Sequence, residues 1–352
     1  MFDIKSAPFG ILPDGREAQL FTLTNPAGMR VCISNYGGII TECWVPDNKG
    51  QLADVVLGFD NLDDYVKDSP YFGALIGRVG NRLNSGQFTL RGETYSLAKN
   101  ENDISHLHGG VVGFDKVVWQ TETRVTNDAA ELHLRYISAD GEEGYPGELT
   151  VDVVYRLSAD NALVTEYKAT TTAPTPVNLT QHSYFNLAGS GSVENHTLCI
   201  HAEHFTPVND ELIPTGEIEP VAGSAFDFTA AKAIGCDVAS DHPQLNIAGG
   251  YDHNFVLKKT HKSDFVLAAE AIEPASGRIL KVYTTEPGVQ FYSGNFLDGS
   301  IRGKGLTYHK HAGFCLEPQH FPDAPNQKDF DDITLQPGET YTSTMSFQFS
   351  AL

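Results

Sequence analysis

Apolar and polar residues alternate with a period of two in many segments of the chain, including 132–136, 151–155 and 345–349. Successive side chains of a β-strand point to opposite faces of a sheet, so this alternation predicts strands that bury one face. The segment 88–97 has strand-like sequence on both sides of Gly92, which indicates a hairpin with a glycine-containing turn. The pattern therefore favours a protein built mainly from β-strands.

Helix signals are few. Asn61 is a suitable N-cap for a short helix in which Leu62, Tyr65 and Val66 share one face, and residues 229–234 indicate another turn or two. Strand and helix patterns do not alternate along the chain, so a parallel α/β fold is not expected. Many short strands with dense Gly- and Pro-containing turns favour a large antiparallel sandwich or barrel.

Composition narrows the class of protein. The 352 residues show no linker, repeat or low-complexity tract, so we expect a single all-β domain over 1–352. The hydrophobic fraction of 41% is sufficient for a packed core. A net charge of −21 disfavours nucleic acid and anionic membranes as partners, because both repel an acidic surface.

Cysteine usage and the N-terminal residues indicate a compartment. The five cysteines are widely spaced and include no Cys-x-x-Cys pair, which favours free thiols in a reducing environment. The first residues lack the basic and apolar segments of a signal peptide, and no apolar stretch is long enough to span a bilayer. We therefore expect a cytoplasmic protein.

Histidine, arginine and carboxylate residues are concentrated in five short clusters, at 77–82, 106–110, 178–186, 251–254 and 316–320. Gly and Pro punctuate most of these clusters, which places them at strand ends or in loops. If the fold brings them together, they line one pocket with imidazoles, carboxylates and a guanidinium. Such a pocket is suited to moving protons on a small polar molecule.

Each cluster taken alone also has a structural interpretation. Glu317 lies between an apolar run and Pro318, where partial burial would raise its pKa toward the range of a general base, although most Glu residues are exposed or salt-bridged. His182 is equally compatible with a hydrogen-bonded structural role. Arg82 and Asp252 suit the binding of hydroxyl groups, but also a buried ion pair and a turn.

A metal or a cofactor is only weakly indicated. His106 and His108 are two positions apart and would face the same side of a strand. With His182 they would supply three ligands, which keeps zinc as a minor alternative to a metal-free site. The chain contains no phosphate-binding loop, dinucleotide fingerprint or Gly-x-Ser-x-Gly elbow, so we expect no cofactor.

Taken together and in order, the polar clusters resemble those of the aldose 1-epimerases, the galactose mutarotases. The resemblance extends almost from end to end of the chain and includes the segments 77–82, 102–116, 140–147, 177–187, 205–208, 212–216, 226–228, 250–257, 285–296 and 315–326. It implies an all-β fold, a large antiparallel β-sandwich of the supersandwich type with few short helices. The sugar site would lie on one concave face.

The resemblance also implies roles for individual residues. Glu317 is similar to the general base of the family and His182 to the general acid, and His108 would be a second imidazole at the site. The residues that would bind the sugar hydroxyls are Asn81, Arg82, Asp252 and Gln290. His106 lies beside this set without an assigned role. The family resemblance implies no metal and no other cofactor.

The residue types fit this chemistry. A cyclic hexose is a hemiacetal, and opening it requires removal of the C1 hydroxyl proton and donation of a proton to the ring oxygen. Glu317 can take the first proton and protonated His182 can give the second. Rotation about the C1–C2 bond and reclosure then produce the other anomer. Tyr184 or Phe291 would pack against the sugar ring, or else belong to the core.

Three other functions are compatible with parts of the sequence. A glycoside hydrolase would use two carboxyl groups, for which Asp252 and Glu317 are candidates. A non-catalytic sugar-binding protein would need Arg82 and Asp252 but not Glu317 with His182. An epimerase of hexose 6-phosphates would need a cationic cluster that the sequence does not show. The preferred aldose and the oligomeric state are left open by the sequence.

Overall fold

Strands form most of the regular structure, and the helices are short. The computed structural model describes residues 1–352, except for the side chain of Asp68. The α-helices are α1 (Leu62–Asp68) and α2 (Pro243–Ala248), and short 3-10 helices occupy Asn84–Gly86, Phe114–Lys116, Glu142–Gly144, Ile234–Cys236 and Ala324–Asn326.

The strands in chain order are β1 (Asp3–Ile11), β2 (Glu17–Thr24), β3 (Arg30–Ser34), β4 (Ile40–Pro46), β5 (Leu52–Asp54), β6 (Leu75–Ile76), β7 (Arg82–Leu83), β8 (Gln87–Leu90), β9 (Glu93–Ser96), β10 (His106–Leu107), β11 (Gln120–Val125), β12 (Ala129–Ser138), β13 (Leu149–Ser158), β14 (Ala162–Thr171) and β15 (Thr175–Pro176). They continue with β16 (Thr180–Gln181), β17 (Thr197–Ile200), β18 (Ala202–Thr206), β19 (Glu219–Pro220), β20 (Lys232–Ala233), β21 (Asp252–Leu257), β22 (Val266–Ile272), β23 (Arg278–Thr284), β24 (Gly288–Tyr292), β25 (Arg302–Gly303), β26 (Leu306–Thr307), β27 (Cys315–Gln319), β28 (Thr334–Leu335) and β29 (Tyr341–Ala351).

Three antiparallel sheets contain nineteen of these strands, and the other ten form five two-stranded sheets. The largest has nine strands in the order β11-β12-β13-β14-β29-β23-β22-β17-β20, and the two others have five strands each, β1-β2-β3-β4-β5 and β19-β18-β21-β24-β27. Buried apolar residues from all three sheets form one continuous cluster. The predicted fold class, an antiparallel all-β sandwich with few short helices, is therefore confirmed.

The period-two patterns fold as predicted. The strand β13 alternates between buried and partly exposed residues along its whole length, and its apolar positions point into the core. The hairpin predicted over 88–97 is formed by β8 and β9, with Arg91 at φ 53° and Gly92 at φ 84°. Positive φ at both central residues is the geometry of a two-residue turn that matches the twist of the strands.

The helix predictions are partly right. Asn61 caps α1 by accepting a hydrogen bond from the main-chain N–H of Asp64, as predicted. The helix predicted over 229–234 is wrong, because Lys232 pairs with β17 in β20 and helical geometry begins only at Ile234. The helix α2 was not predicted; its Pro lies in the first turn and it ends at Gly249 in the left-handed conformation.

Two further features bear on the environment of the protein. The five cysteines are all free of disulfide bonds, as expected from their spacing. Among the described residues, no helix combines the length and the apolar character that crossing a membrane requires.

The five-stranded sheet β19-β18-β21-β24-β27, called the third sheet below, has a polar face and an apolar face. Residues paired across antiparallel strands share a face, so the register Asn254–Gln290–Glu317 puts these three side chains on one side. Asp252 lies two positions from Asn254 and shares that side. On the opposite side, Phe255, Val289, Phe291 and Leu316 belong to the apolar core. The alternation thus directs a row of polar groups away from the core.

Candidate active site

A cavity of about 160 Å³ opens on this polar face, and six of the seven predicted site residues line it. They come from distant parts of the chain and are Asn81, Arg82, His108, His182, Asp252 and Glu317. The seventh, Gln290, is buried behind them. The structure therefore brings the polar clusters together, which sequence spacing alone could not show.

Glu317 and His182 lie next to each other in the lining of this cavity. Glu317 lies in the middle of β27, and His182 directly follows β16. Main-chain hydrogen bonds hold His182 on both sides, since its N–H donates to the carbonyl of Ala74 and its carbonyl accepts from Gly73. Nε2 of His182 lies 3.6 Å from Oε2 of Glu317, and both side chains are almost fully buried. A hydroxyl group in the cavity beside the pair could exchange a proton with either one.

Burial controls the protonation of this pair. Burial raises the pKa of Glu317 well above its usual value, the Asp252 carboxylate raises it further, and Arg82 opposes both. Burial lowers the pKa of His182 to about 4. Oε2 of Glu317 has no hydrogen-bond partner among the described residues. Burial therefore favours the neutral form of each group in the unliganded site, the protonated carboxyl of Glu317 and the unprotonated ring of His182.

Arg82 lies at the centre of a second group of polar side chains. Its Nε and one terminal nitrogen each donate to a carboxylate oxygen of Glu101 at 2.7 Å, and its other terminal nitrogen lies 3.6 Å from Asp252. Gln290 donates to Asp252 at 2.7 Å and accepts from Gln319 at 3.1 Å. Gln290 therefore orients Asp252 instead of lining the cavity. Glu101 was missed, since no sequence signal distinguishes it among 45 acidic residues.

The two histidines of the 106–110 cluster point in different directions. His106 is fully buried, and its ring nitrogens lie 2.7 Å from the carbonyl of Ala98 and 2.8 Å from the hydroxyl of Tyr145. The strand β10 ends at Leu107, and His108 adopts φ 52°, which turns its ring into the cavity. The prediction that both histidines face one side is wrong, because it assumed an extended strand through His108.

The three histidines considered as zinc ligands, His106, His108 and His182, do not form a metal site. His106 is occupied by structural contacts, and the ligand atoms that do cluster, within 4.8 Å, belong to His108, His182 and Glu317. The main-chain N–H of Asn81 donates to Nδ1 of His108 at 3.1 Å, so the proton of the neutral ring must be on Nε2. A metal-bound histidine has the opposite arrangement, with its second nitrogen donating to an acceptor. The donors present suit hydrogen bonding to a polar ligand better than metal binding.

Aromatic side chains form the remaining walls. Tyr71 and Tyr184 both stack with the ring of the site histidine His182, with ring centroids at 5.8 and 5.1 Å. Of the two aromatics considered from the sequence, Tyr184 lines the cavity, while Phe291 is fully buried in the core. Phe296, which the sequence did not single out, lines the cavity with 59% of its surface exposed. An exposed ring at a polar cavity is suited to packing against the apolar face of a sugar.

The chain is similar to known proteins over its full length. The family model described as aldose 1-epimerase matches residues 19–348. The chain is 49% identical to the galactose mutarotase of Bos taurus and 48% identical to that of Homo sapiens, in both cases over 99% of each chain. The crystal structure of galactose 1-epimerase from Lactobacillus acidophilus NCFM superposes with a TM-score of 0.88 at 28% identity, covering 100% of this chain and 99% of the other.

Proposed function

The chain belongs to the aldose 1-epimerase family, and we propose that Glu317 and His182 carry out its acid–base chemistry on free hexoses such as D-galactose and D-glucose. The protein is an isomerase that interconverts the α and β anomers of hexoses. The observation that supports the assignment of the two residues is their proximity in the cavity lining, where Nε2 and Oε2 are 3.6 Å apart. Each is buried, and their pKa values are shifted in opposite directions.

The proposed reaction uses one proton held by the pair. With Glu317 ionised and His182 protonated, the carboxylate takes the proton of the C1 hydroxyl and Nε2 gives its proton to the ring oxygen. The C1–O5 bond breaks and the open-chain aldehyde forms, with Glu317 now protonated and His182 neutral. This is the protonation state that burial favours in the unliganded site. After rotation about C1–C2, the two protons return and the other anomer forms.

The remaining cavity residues would hold the sugar while its C1 end moves. We assign hydroxyl binding to Arg82, Asp252 and Asn81, and a donor role to Nε2–H of His108. The double hydrogen bond from Arg82 to Glu101 fixes the guanidinium plane, so its orientation does not have to be gained on binding. Gln290 contributes by orienting Asp252. Anchoring of this kind supplies the positional part of the rate enhancement.

Features of the cavity disfavour the three alternative functions. A hydrolase needs a second catalytic carboxyl group, but Asp252 is occupied by Arg82 and Gln290, and a histidine faces Glu317. A binding protein has no use for a buried proton-sharing pair. Arg82 is the only Lys or Arg among the described residues that line the cavity, and its partners are carboxylates, which disfavours a phosphorylated sugar.

We also propose that the protein is a single domain and that it is cytoplasmic. Residues from Asn81 to Glu317 contribute to one cavity, which supports a single domain over 1–352. The five free cysteines support a cytoplasmic, reducing environment. The partner of the protein would be its monosaccharide substrate.

Polarimetry tests the proposal directly. We expect the protein to accelerate the decay of optical rotation of fresh α-D-galactose, and of α-D-glucose, to the same final value as the buffer control. A decay equal to the buffer control on both sugars would contradict the function. Release of a chromogenic aglycone from a β-galactoside would instead support a hydrolase.

A further inference from the structure

The imidazole of His182 has a fixed position within the site. The rings of Tyr71 and Tyr184 both stack against it, with interplanar angles of 27° and 25°. Nε2 lies near Oε2 of Glu317, and Nδ1 lies 3.6 Å from Sγ of Cys315. Cys315 thus lies at the nitrogen that the proposed proton transfer does not use.

The chain places Cys315 there through the register of the third sheet. Cys315 and Glu317 are two positions apart in β27 and therefore share its polar face. The side chain of Cys315 is fully buried, and burial raises the pKa of its thiol well above the usual value. The sulfur is therefore a neutral group that can accept a weak hydrogen bond.

The proposed reaction needs His182 in one particular tautomer. Nε2 must be free to take up and release the proton, so Nδ1 has to keep its hydrogen in both the neutral and the protonated ring. We infer that Cys315 is a positioning residue: its sulfur accepts a hydrogen bond from Nδ1–H of His182 and reserves Nε2 for the catalytic proton. This inference depends on the proposed role of His182.

A thiol is a suitable acceptor for this purpose. A carboxylate at Nδ1 would stabilise the imidazolium strongly and would make the imidazole a weaker proton donor. A neutral sulfur orients the ring without that charge effect, so the proton can move easily between the sugar and Nε2.

The neighbouring imidazole of His108 requires the opposite tautomer from the one inferred for His182. Nδ1 of His108 accepts from the main-chain N–H of Asn81, which requires the hydrogen on Nε2. A protonated His108 would place Nδ1–H against that N–H donor, and burial also lowers its pKa well below the usual value. The structure thus holds two neighbouring imidazoles in opposite tautomers, one as a fixed donor and the other as a proton carrier.

The test is NMR spectroscopy of protein with ¹⁵N-labelled histidine, in which long-range ¹H–¹⁵N correlations identify the protonated nitrogen of each ring. The substitutions His182→Asn and His108→Asn assign the two signals. We expect Nδ1–H for His182 and Nε2–H for His108 at neutral pH. Nε2–H on His182 of an active wild-type enzyme would overturn the inference about Cys315 and leave the proposed function intact.

Kinetics provide the second measurement. Cys315→Ala removes the acceptor and should lower kcat about tenfold at nearly constant KM, with loss of the single-tautomer signal of His182. Cys315→Ser keeps an acceptor and should restore most of kcat and that signal. Cys43→Ala is the matched control, a buried thiol in the core without a histidine contact. Equal kcat losses in the Cys43 and Cys315 alanine variants, with an unchanged tautomer, would assign Cys315 a packing role only.

Discussion

Glu317→Gln removes a proton acceptor from the site while leaving its shape almost unchanged. The side chain is 3% exposed, and Oε2 has no hydrogen-bond partner among the described residues, so the amide breaks no hydrogen bond at this atom and alters its 3.6 Å contact with Nε2 of His182. Because burial favours the neutral form of Glu317, the neutral amide changes little in the charge of the unliganded site. The free energy of unfolding should therefore be nearly unchanged, and a loss of activity cannot be attributed to misfolding.

The expected magnitude follows from the chemistry that is lost. A positioned general base contributes about 10²–10⁴-fold to a rate. At about 1.36 kcal/mol per factor of ten, this corresponds to about 2.7–5.4 kcal/mol of transition-state stabilisation. Arg82 and Asp252, which would hold the sugar hydroxyls, are untouched. We therefore expect kcat to fall at least 100-fold while KM changes less than about threefold.

Polarimetry of α-D-galactose at several concentrations gives kcat and KM separately once the spontaneous rate is subtracted. Glu219→Gln is the matched control, because it makes the same change at an exposed position in β19, on the edge of the same sheet. A variant that keeps more than a tenth of kcat would refute the assignment of Glu317 as the base. A rise in KM with unchanged kcat would show that Glu317 binds the sugar and transfers no proton.

Three further predictions follow from the polar contacts. Activity should require one proton on the unliganded pair: below about pH 4 His182 is protonated in addition to Glu317 and kcat/KM falls, while at high pH Glu317 loses its proton and kcat/KM falls again. A pH–rate profile without an acid limb near pH 4 would contradict this. Arg82→Lys should raise KM at least tenfold, because a lysine cannot bond both carboxylate oxygens of Glu101 and still reach the carboxylate of Asp252. An unchanged KM would exclude Arg82 from sugar binding. His320→Gln should lower the free energy of unfolding by about 3 kcal/mol in urea titrations at pH 6, because it leaves the buried Glu286 carboxylate without its cation, whereas a change below about 0.5 kcal/mol would show that the pair is dispensable.

The elements that the sequence predicted are those whose signals are local. The strands β12, β13 and β29 follow from alternation, because burial of one face repeats every two residues. The cap of α1 follows from Asn61, whose side chain bonds to a residue three positions along. The helix α2 has only six residues, too few for a 3.6-residue pattern to emerge, so its capping residues were the only available signal.

The site residues were identified from the sequence through family resemblance, but their arrangement depends on long-range pairing. β7 pairs with β10, and β6 with β16, which brings segments about 25 and 105 residues apart into contact. Alternation within one segment carries no information about such pairings. The direction of His108 depends on a single positive φ angle, which the sequence pattern of an extended strand did not reveal.

The third sheet explains how a stable fold can hold a buried and partly charged site. Along β27, Leu316 faces the apolar core while Glu317, on the opposite face, lines the cavity. A shift in register of one residue would bury Glu317 in the core and expose Leu316 to the cavity, and both changes are unfavourable. The apolar alternation that stabilises the sandwich therefore also fixes where Glu317 lies relative to His182. Core packing and proton transfer depend on the same register, so substitutions that loosen the core beneath β27 should lower kcat before they unfold the protein.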